Sequence, residues 1–439
     1  MRVLSSRGLR LLAFMVLATF VAVPAAWAQQ RLYVANGAEG TISVVDVDTM
    51  TVVDTIDVGG GGPWGVAITP DGGKLYVADS FWGDVIVIDT ATHAIDEVIH
   101  LGIGEAVQIA ITPDGTEAWV AGAWGQTVKI IDTTTNTLDD TIEGGFSGGI
   151  SLIMDGSGER AYLTTDAGSV AVFDIDTHAV IDAGIPAGSH AYLSAPNAAG
   201  SRVYVSRTAP NMVAVIDTSI NAVIDQIPLG PEGSGFPTGL AVSPDQDKLY
   251  VATLFNLSAA VVDLASHSVD HVPLATSGVC GTELCYGDVV FTHEGARVFV
   301  SAYSTAGGES LVHVIDATTA TEIATIPVGL GPIGMAISPP PDEPDPEPDF
   351  DVLAGIKRLQ LHVKWLIWTG KVSPLRGLLL YTQLRVAEVA YERGWTSLAE
   401  ASMVRFRRTV RYFMHHDYLR EEYGRPLVRA ATVIIQHIE

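Results

Sequence analysis

Glu105, His190 and Asp288 each stand in a loop just ahead of a run of small and apolar residues, and they are the side chains best placed for proton chemistry. A histidine within hydrogen-bond reach of a carboxylate can take up or release a proton near neutral pH, so the three are candidates for an acid–base centre if folding gathers them. A histidine in such a loop is nonetheless more often structural, and no catalytic residue is assigned. A second set is aromatic. Trp64, Phe236 and Tyr286 occupy the same kind of loop, and Trp82 and Trp124 a second kind. Rigid aromatics with nothing beside them to bury against offer large contact area at low entropic cost, which suits them to recognition. The competing reading is that they pack on one another to seal a surface. Phe146 joins the first loops, and Phe81, Arg207, Phe255 and Tyr303 the second.

His93, His178 and His267 each follow an aspartate by four residues, at equivalent points of a repeat. Equivalent turns on separate units do not converge on one ion, so duplication rather than metal binding accounts for them, and no metal site or cofactor is expected. The dipole of a helix end accounts for His415 and His416. Cys280 and Cys285, the two cysteines, are close enough for a short-loop disulfide in an oxidising compartment. No His-Glu-x-x-His run or phosphate loop occurs.

The elements that must carry these residues are repeated. An aromatic followed by an apolar residue recurs at Tyr33, Tyr76, Trp119, Tyr162, Tyr204, Tyr250 and Phe299, in steps of 43, 43, 43, 42, 46 and 49 residues. A β-branched run follows each and ends on Asp46, Asp89, Asp132, Asp174, Asp217, Asp263 or Asp316, whose carboxylates suit the turn beyond. Turns such as Thr69-Pro70-Asp71-Gly72 precede the next aromatic. Each unit reads as four short strands, and four-stranded sheets at this period stack radially as propeller blades. The first unit lacks its opening strand, which Gly334-Met335-Ala336-Ile337-Ser338 supplies from the far end. This predicts a mainly β, seven-bladed β-propeller of four-stranded blades over residues 29–338, closed by its last strand.

Residues 1–28 read as a signal peptide: Arg2, Arg7 and Arg10, an apolar run too short to span a bilayer, then Ala26-Trp27-Ala28. Gln29 follows, so a lipid anchor has no cysteine to attach to, and no later segment is long enough for a transmembrane anchor. Periplasmic or extracellular placement is expected. Residues 31–340 hold 8 Lys+Arg against 37 Asp+Glu, which sets the large domain against nucleic acid. Residues 339–352 alternate proline with acid, as an extended linker does. Residues 353–439 hold 14 bases against 7 acids and carry apolar residues at helical spacing. Ser373-Pro374 and Ser397 with Glu400 mark helix starts, and Gly394 a helix end. Val363, Val372, Gly377 and Leu380 match Val410, Leu419, Gly424 and Leu427 at 47 residues, predicting a small all-α four-helix domain built from a duplicated hairpin.

Tyr33-Val34-Ala35-Asn36, Ile88-Asp89-Thr90 and Pro63-Trp64-Gly65-Val66-Ala67-Ile68-Thr69-Pro70-Asp71-Gly72 resemble the repeat of the YVTN, or YncE-like, β-propellers over residues 31–340. Residues 370–384 with Phe406 and 410–416 resemble the FIMAH domain of secreted bacterial proteins. These resemblances imply fold rather than ligand. The functional expectation is a secreted binding scaffold, not an enzyme, whose propeller face carrying Trp64, Trp82, Glu105, Trp124, His190, Phe236, Tyr286 and Asp288 meets a protein, peptide or carbohydrate. The helical tail is expected to dock to the envelope or another protein. The alternative is a propeller enzyme, such as a lactonase-like hydrolase or a cofactor-bearing dehydrogenase, working at the channel mouth.

Overall fold

A computed structural model describes residues 30–102, 106–123, 126–155, 158–231, 235–253, 257–275, 285–304, 310–339, 352–368, 371–415, 418, 419, 427 and 431. Seven antiparallel sheets follow one another along the chain, so the described residues between 30 and 339 form seven blades. Blade 2 is representative: an innermost strand Pro63–Ile68, then Lys74–Asp79, Asp84–Asp89 and an outermost strand Ile95–His100. Blade 1 takes Arg31–Asn36, Thr41–Asp46 and Thr51–Asp57 from the start of the chain and its innermost strand, Pro332–Ile337, from the end. That strand pairs as Leu32↔Ile337 and Val34↔Met335, so the ring closes as the repeat predicts.

Burial explains why the unit needs neighbours. The second and third strands are covered on both faces, while the outermost strand buries essentially one residue, such as Ile56, Ile99 or Ile326. Seven apolar clusters lie between blades, not within them: Tyr33, Ala35 and Ile42 of blade 1 pack with Leu75, Val77 and Ile86 of blade 2, and so on around the ring to Leu32, Val312 and Met335. Each blade thus gains most of its apolar burial from contact with the next. The repeated aspartates act on the following turn. Asp46 Oδ1 accepts from Thr49 N–H at 2.7 Å, and Asp132 Oδ1 from Thr135 N–H at 2.9 Å.

Those turns also settle the histidines. The residue four places after the aspartate has a left-handed backbone in all seven blades: Met50, His93, Asn136, His178, Asn221, His267 and Ala320, with φ between 48 and 58°. Asparagine and histidine are among the residues that enter this region most readily. From there His93, His178 and His267 each meet an acid on the outermost strand of the preceding blade: Asp54, Asp140 and Asp225. They are inter-blade fasteners, on separate blades.

The C-terminal part contains three helices among the described residues: α1 (Val352–Trp368), α2 (Pro374–Glu392) and α3 (Thr396–His415). Ser373 and Pro374 begin α2 and Gly394, at φ +71°, ends its turn, whereas α3 starts one residue ahead of Ser397. The fourth expected helix falls outside the described residues except for Leu427 and Ala431, which are helical. The residues matched at 47 places, Val363 and Val410, Val372 and Leu419, Leu380 and Leu427, are all buried in one apolar core. No helix among the described residues is long and apolar enough to cross a membrane. The expected signal peptide, nearly all of the linker and Cys280 lie outside the described residues, as does the side chain of Cys285, so the disulfide does too.

Candidate functional site

Six of the seven innermost strands shift their pairing register near the start, and in blade 7 the strand is interrupted there without a shift. The residues paired with the apolar residue that follows each repeat aromatic are Val66, Ile109, Leu152, Ser194, Leu240, Val289 and Met335. The residue immediately before each defines a ring: Gly65, Gln108, Ser151, Leu193, Gly239, Asp288 and Gly334. Three of the seven are glycines, and close approach explains all three, a Cβ on Gly65 falling within 2.7 Å of the Val107 carbonyl oxygen. A Cβ on Gly334 would come within 2.2 Å of the Trp64 carbonyl oxygen, and one on Gly239 within 2.5 Å of Asp288 Cα. The other four put side chains at the level where the glycines leave space.

A cavity of about 330 Å³ occupies this level and is lined by all seven innermost strands. Trp64, Val107, Ile150, Tyr192 and Ile333 form much of its wall, with Gln108, Ser151, Ser194 and Asp288 as polar groups. Ser151 and Ser194 hydroxyls lie 3.0 Å apart, bridging blades 4 and 5. Asp288 is the one charged residue among the described lining residues. It sits where the innermost strand of blade 7 breaks between Cys285–Tyr286 and Val289–Phe291. Its Oδ1 accepts from its neighbour Val289 N–H at 2.8 Å, and its Oδ2 from Met335 N–H of blade 1 at 3.0 Å. Asp288 N–H donates to Ser301 Oγ at 2.9 Å. The carboxyl lies deep in the molecule, with protein around the channel on every side, while part of its surface still faces the lumen. Desolvation pushes its pKa up to about 6, against the opposing effect of the two backbone N–H groups.

Those of the eight expected site residues whose side chains are described do not assemble as one. Trp64 and Asp288 line the cavity. Asp288, expected at the rim, belongs to the channel wall. Trp82 lies in the turn between the second and third strands of blade 2, 66% exposed, edge-on to Phe81 with ring centroids 5.2 Å apart. His190 is exposed at a left-handed turn and Phe236 is half-buried at another. Neither lines the cavity. Glu105 and Trp124 lie outside the described residues, as does Phe255. Tyr286 and Tyr303 pair through their backbones in blade 7, and their side chains lie outside the description. Phe146 is not a mouth residue: it is buried between blades 3 and 4, edge-on to Phe173 at 5.2 Å. A loop aromatic had a core to enter after all. Arg207 ends the second strand of blade 5 and is 9% exposed, with Nη1 donating to Gln226 Oε1 at 3.2 Å. Gly188, at φ +103°, lies over its guanidinium so closely that a Cβ there would meet Cζ at 2.4 Å.

Reading the loops missed Gln108, Ser151, Tyr192 and Ser194. Gln108 and Ser151 had a signal in the small-residue strand, where one column of the repeat, glycine in three blades, carries glutamine, serine, leucine or aspartate in the other four; Tyr192 and Ser194 flank that column.

No protein-family model and no curated protein matches the chain. Solved structures do match. A protein of unknown function from Desulfotomaculum acetoxidans DSM 771 is 17% identical, with a TM-score of 0.58 over 71% of this chain and 99% of that one. Hydrazine synthase from Kuenenia stuttgartiensis is 16% identical, with a TM-score of 0.54 over 62% of this chain and 89% of that one. The dihydro-heme d1 dehydrogenase NirN is 13% identical, with a TM-score of 0.52 over 70% and 74%. At such identities the likeness is one of fold. By its own strand pairing and by these neighbours, the chain is a seven-bladed β-propeller with a helical region appended.

Proposed function

We propose that the protein is an exported binding propeller, and that the ring of the central channel holds a small molecule or the tip of a larger one. The observation that carries this reading is the cavity of about 330 Å³ with a single carboxyl, Asp288, set among apolar walls and a few hydroxyl and amide groups. A concave, mostly apolar pocket with few convergent polar groups is the usual form of a small-ligand site, and this volume is at its lower end. A lone carboxyl in an acidic protein selects cationic or hydroxyl-rich groups over anionic ones. Trp64 supplies a flat apolar wall for a sugar or amine-bearing ring.

Binding is favoured over catalysis because His190, the expected proton partner, lies outside the cavity that Asp288 lines. The enzyme reading retains one support, the Asp288 carboxyl at about 6, which is within the working range of a general acid or base. Sequence features at residues 1–28 support export, and the YVTN-like and FIMAH-like motifs support the family reading.

The test is a thermal-shift and calorimetric screen of sugars, short peptides and amines against the full chain. A ligand selective for the folded state raises the melting temperature. Asp288→Asn is expected to abolish binding of cationic ligands, and Trp64→Ala to weaken every ligand. Ligands that bind both variants as tightly as the parent would place the site elsewhere. Turnover of any screened compound, lost in Asp288→Asn, would favour the enzyme.

A further inference from the structure

The propeller carries only 8 Lys+Arg in residues 31–340, and six of them occupy one position. The first residue of the second strand is Arg31, Lys74, Arg160, Arg202, Lys248 or Arg297, and each lies directly across the sheet from the aspartate that ends the third strand: Asp46, Asp89, Asp174, Asp217, Asp263 or Asp316. Blade 3 breaks the pattern. There Glu117 stands opposite Asp132, so two acids face each other where every other blade has a base and an acid. Opposed like charges on neighbouring strands are destabilising unless something compensates them.

The compensation comes from the helical region. Arg408 of α3 places Nη2 against Asp132 Oδ2 and holds Nε 3.4 Å from Asp139 Oδ1. Its neighbour Arg407, 1% exposed, has Nη1 3.5 Å from Asp114 Oδ2 in the Thr112-Pro113-Asp114-Gly115 turn of the same blade. The choice of oxygen is telling. In blades 1 and 5, Oδ1 of the aspartate accepts from its turn while Oδ2 takes the blade's own arginine, Arg31 or Arg202. In blade 3, Oδ1 again serves the turn at Thr135, and Oδ2 takes Arg408. Glu117 is occupied separately, accepting from Trp119 Nε1–H at 3.1 Å with His178 Nε2 3.3 Å away.

We propose that α3 is a latch that docks the helical region in cis on blade 3, its Arg408 supplying the cation that the repeat places at position 117 in every other blade. Blade 3 is selected because it alone, among seven near-equivalent blades, leaves this place open. Charge complementarity favours the same occupant: 14 bases against 7 acids in residues 353–439 face a domain with 37 acids. Reach is not limiting. Pro339, where the propeller strand has just ended, packs on Gly72 of blade 2, next to blade 3. The 12 residues from there to Val352 span up to roughly 40 Å when extended. The docked helices cover the Pro-Asp-Gly end of blade 3 and leave the Trp82 end of the ring free.

The test uses the full chain at 0.1 M salt, by small-angle scattering, sedimentation and amide exchange. Arg407→Gln with Arg408→Gln should enlarge the radius of gyration, with helical circular dichroism retained, and speed exchange in residues 112–117 by about tenfold or more. Glu117→Lys, which restores the repeat, should expel Arg408 and give the same release. If it does not fold, Asp132→Asn serves in its place. Unchanged scattering and exchange in the double variant would overturn the latch. A dimer in the parent that the variant converts to monomer would overturn docking in cis, since the same contact would then join two copies.

Discussion

Replacing Asp288 by asparagine tests the channel site without any ligand. The carboxyl titrates at about 6 in the folded protein against 3.8 for an ordinary aspartate, with desolvation as the dominant cause. At 1.36 kcal/mol for each tenfold change in proton affinity, that displacement is worth about 3 kcal/mol. The sign follows from which state holds the proton. Below pH 3.8 both folded and unfolded chains are protonated at this group and its contribution is fully present. Between 3.8 and about 6 only the folded chain keeps the proton, so stability falls as pH rises; above 6 the loss is complete. Asparagine is uncharged like the neutral acid, but its single oxygen accepts from only one of Val289 and Met335, a cost that is the same at every pH. The variant should therefore gain about 3 kcal/mol on the parent between low pH and pH 7. Urea unfolding followed by tryptophan fluorescence at pH 4, 5, 6 and 7 measures the difference directly, and the many other acids cancel. A difference that stays flat across this range, or that turns against the variant at pH 7, would mean the carboxylate is compensated and the desolvation argument is wrong.

Other substitutions separate wall, rim and core. Trp82→Ala should change stability by less than about 0.5 kcal/mol, because the ring is mostly exposed, and a larger loss in thermal unfolding would make it a packing residue. Phe146→Ala should cost about 3–5 kcal/mol by chemical denaturation, as expected where an aromatic leaves a cavity between blades 3 and 4. Gly334→Ala puts a methyl 2.2 Å from the Trp64 carbonyl oxygen and should lower the melting temperature by several degrees, whereas Gly59→Ala, with open space around it, should cost only its left-handed backbone. Truncation after residue 331 should leave Arg31–Asn36 with an unpaired edge and drive aggregation in light scattering.

What the sequence made legible was whatever repeats. Tyr76, Trp119 and Phe299 are fully buried, and the aspartates cap their turns, because seven copies impose the same environment and leave the same residue types behind. The place of the site was harder to see, for a physical reason. Loop aromatics look unburied in one dimension, yet Phe146 folds back between blades and Trp82 stays at the rim, and nothing local distinguishes them. The channel ring is a column of innermost-strand residues, where the informative event is a departure: Asp288 where three blades keep glycine and none of the others carries a charge. Glu117 is the same kind of signal. It stands where six blades carry a base, and its meaning depends on an arginine nearly 300 residues away in a different fold.

Closure by the last strand sets a timetable for the chain. Arg31 N–H waits for Ser338 Oγ, 307 residues downstream, and bringing such distant ends together costs about 5 kcal/mol of chain entropy. At ~5–20 residues per second, roughly 15 to 60 s of synthesis separates the two. Blades 2 to 7 each take their four strands from one continuous stretch of chain, while blade 1 keeps an open inner edge until residues 332–337 are made. The newest residues of the propeller therefore finish its oldest blade, and the helices follow only when the ring is already shut. A ribosome stalled ahead of residue 332 would hold an open six-and-three-quarter-blade arc, and protection of that arc is the period in which this chain most needs a chaperone.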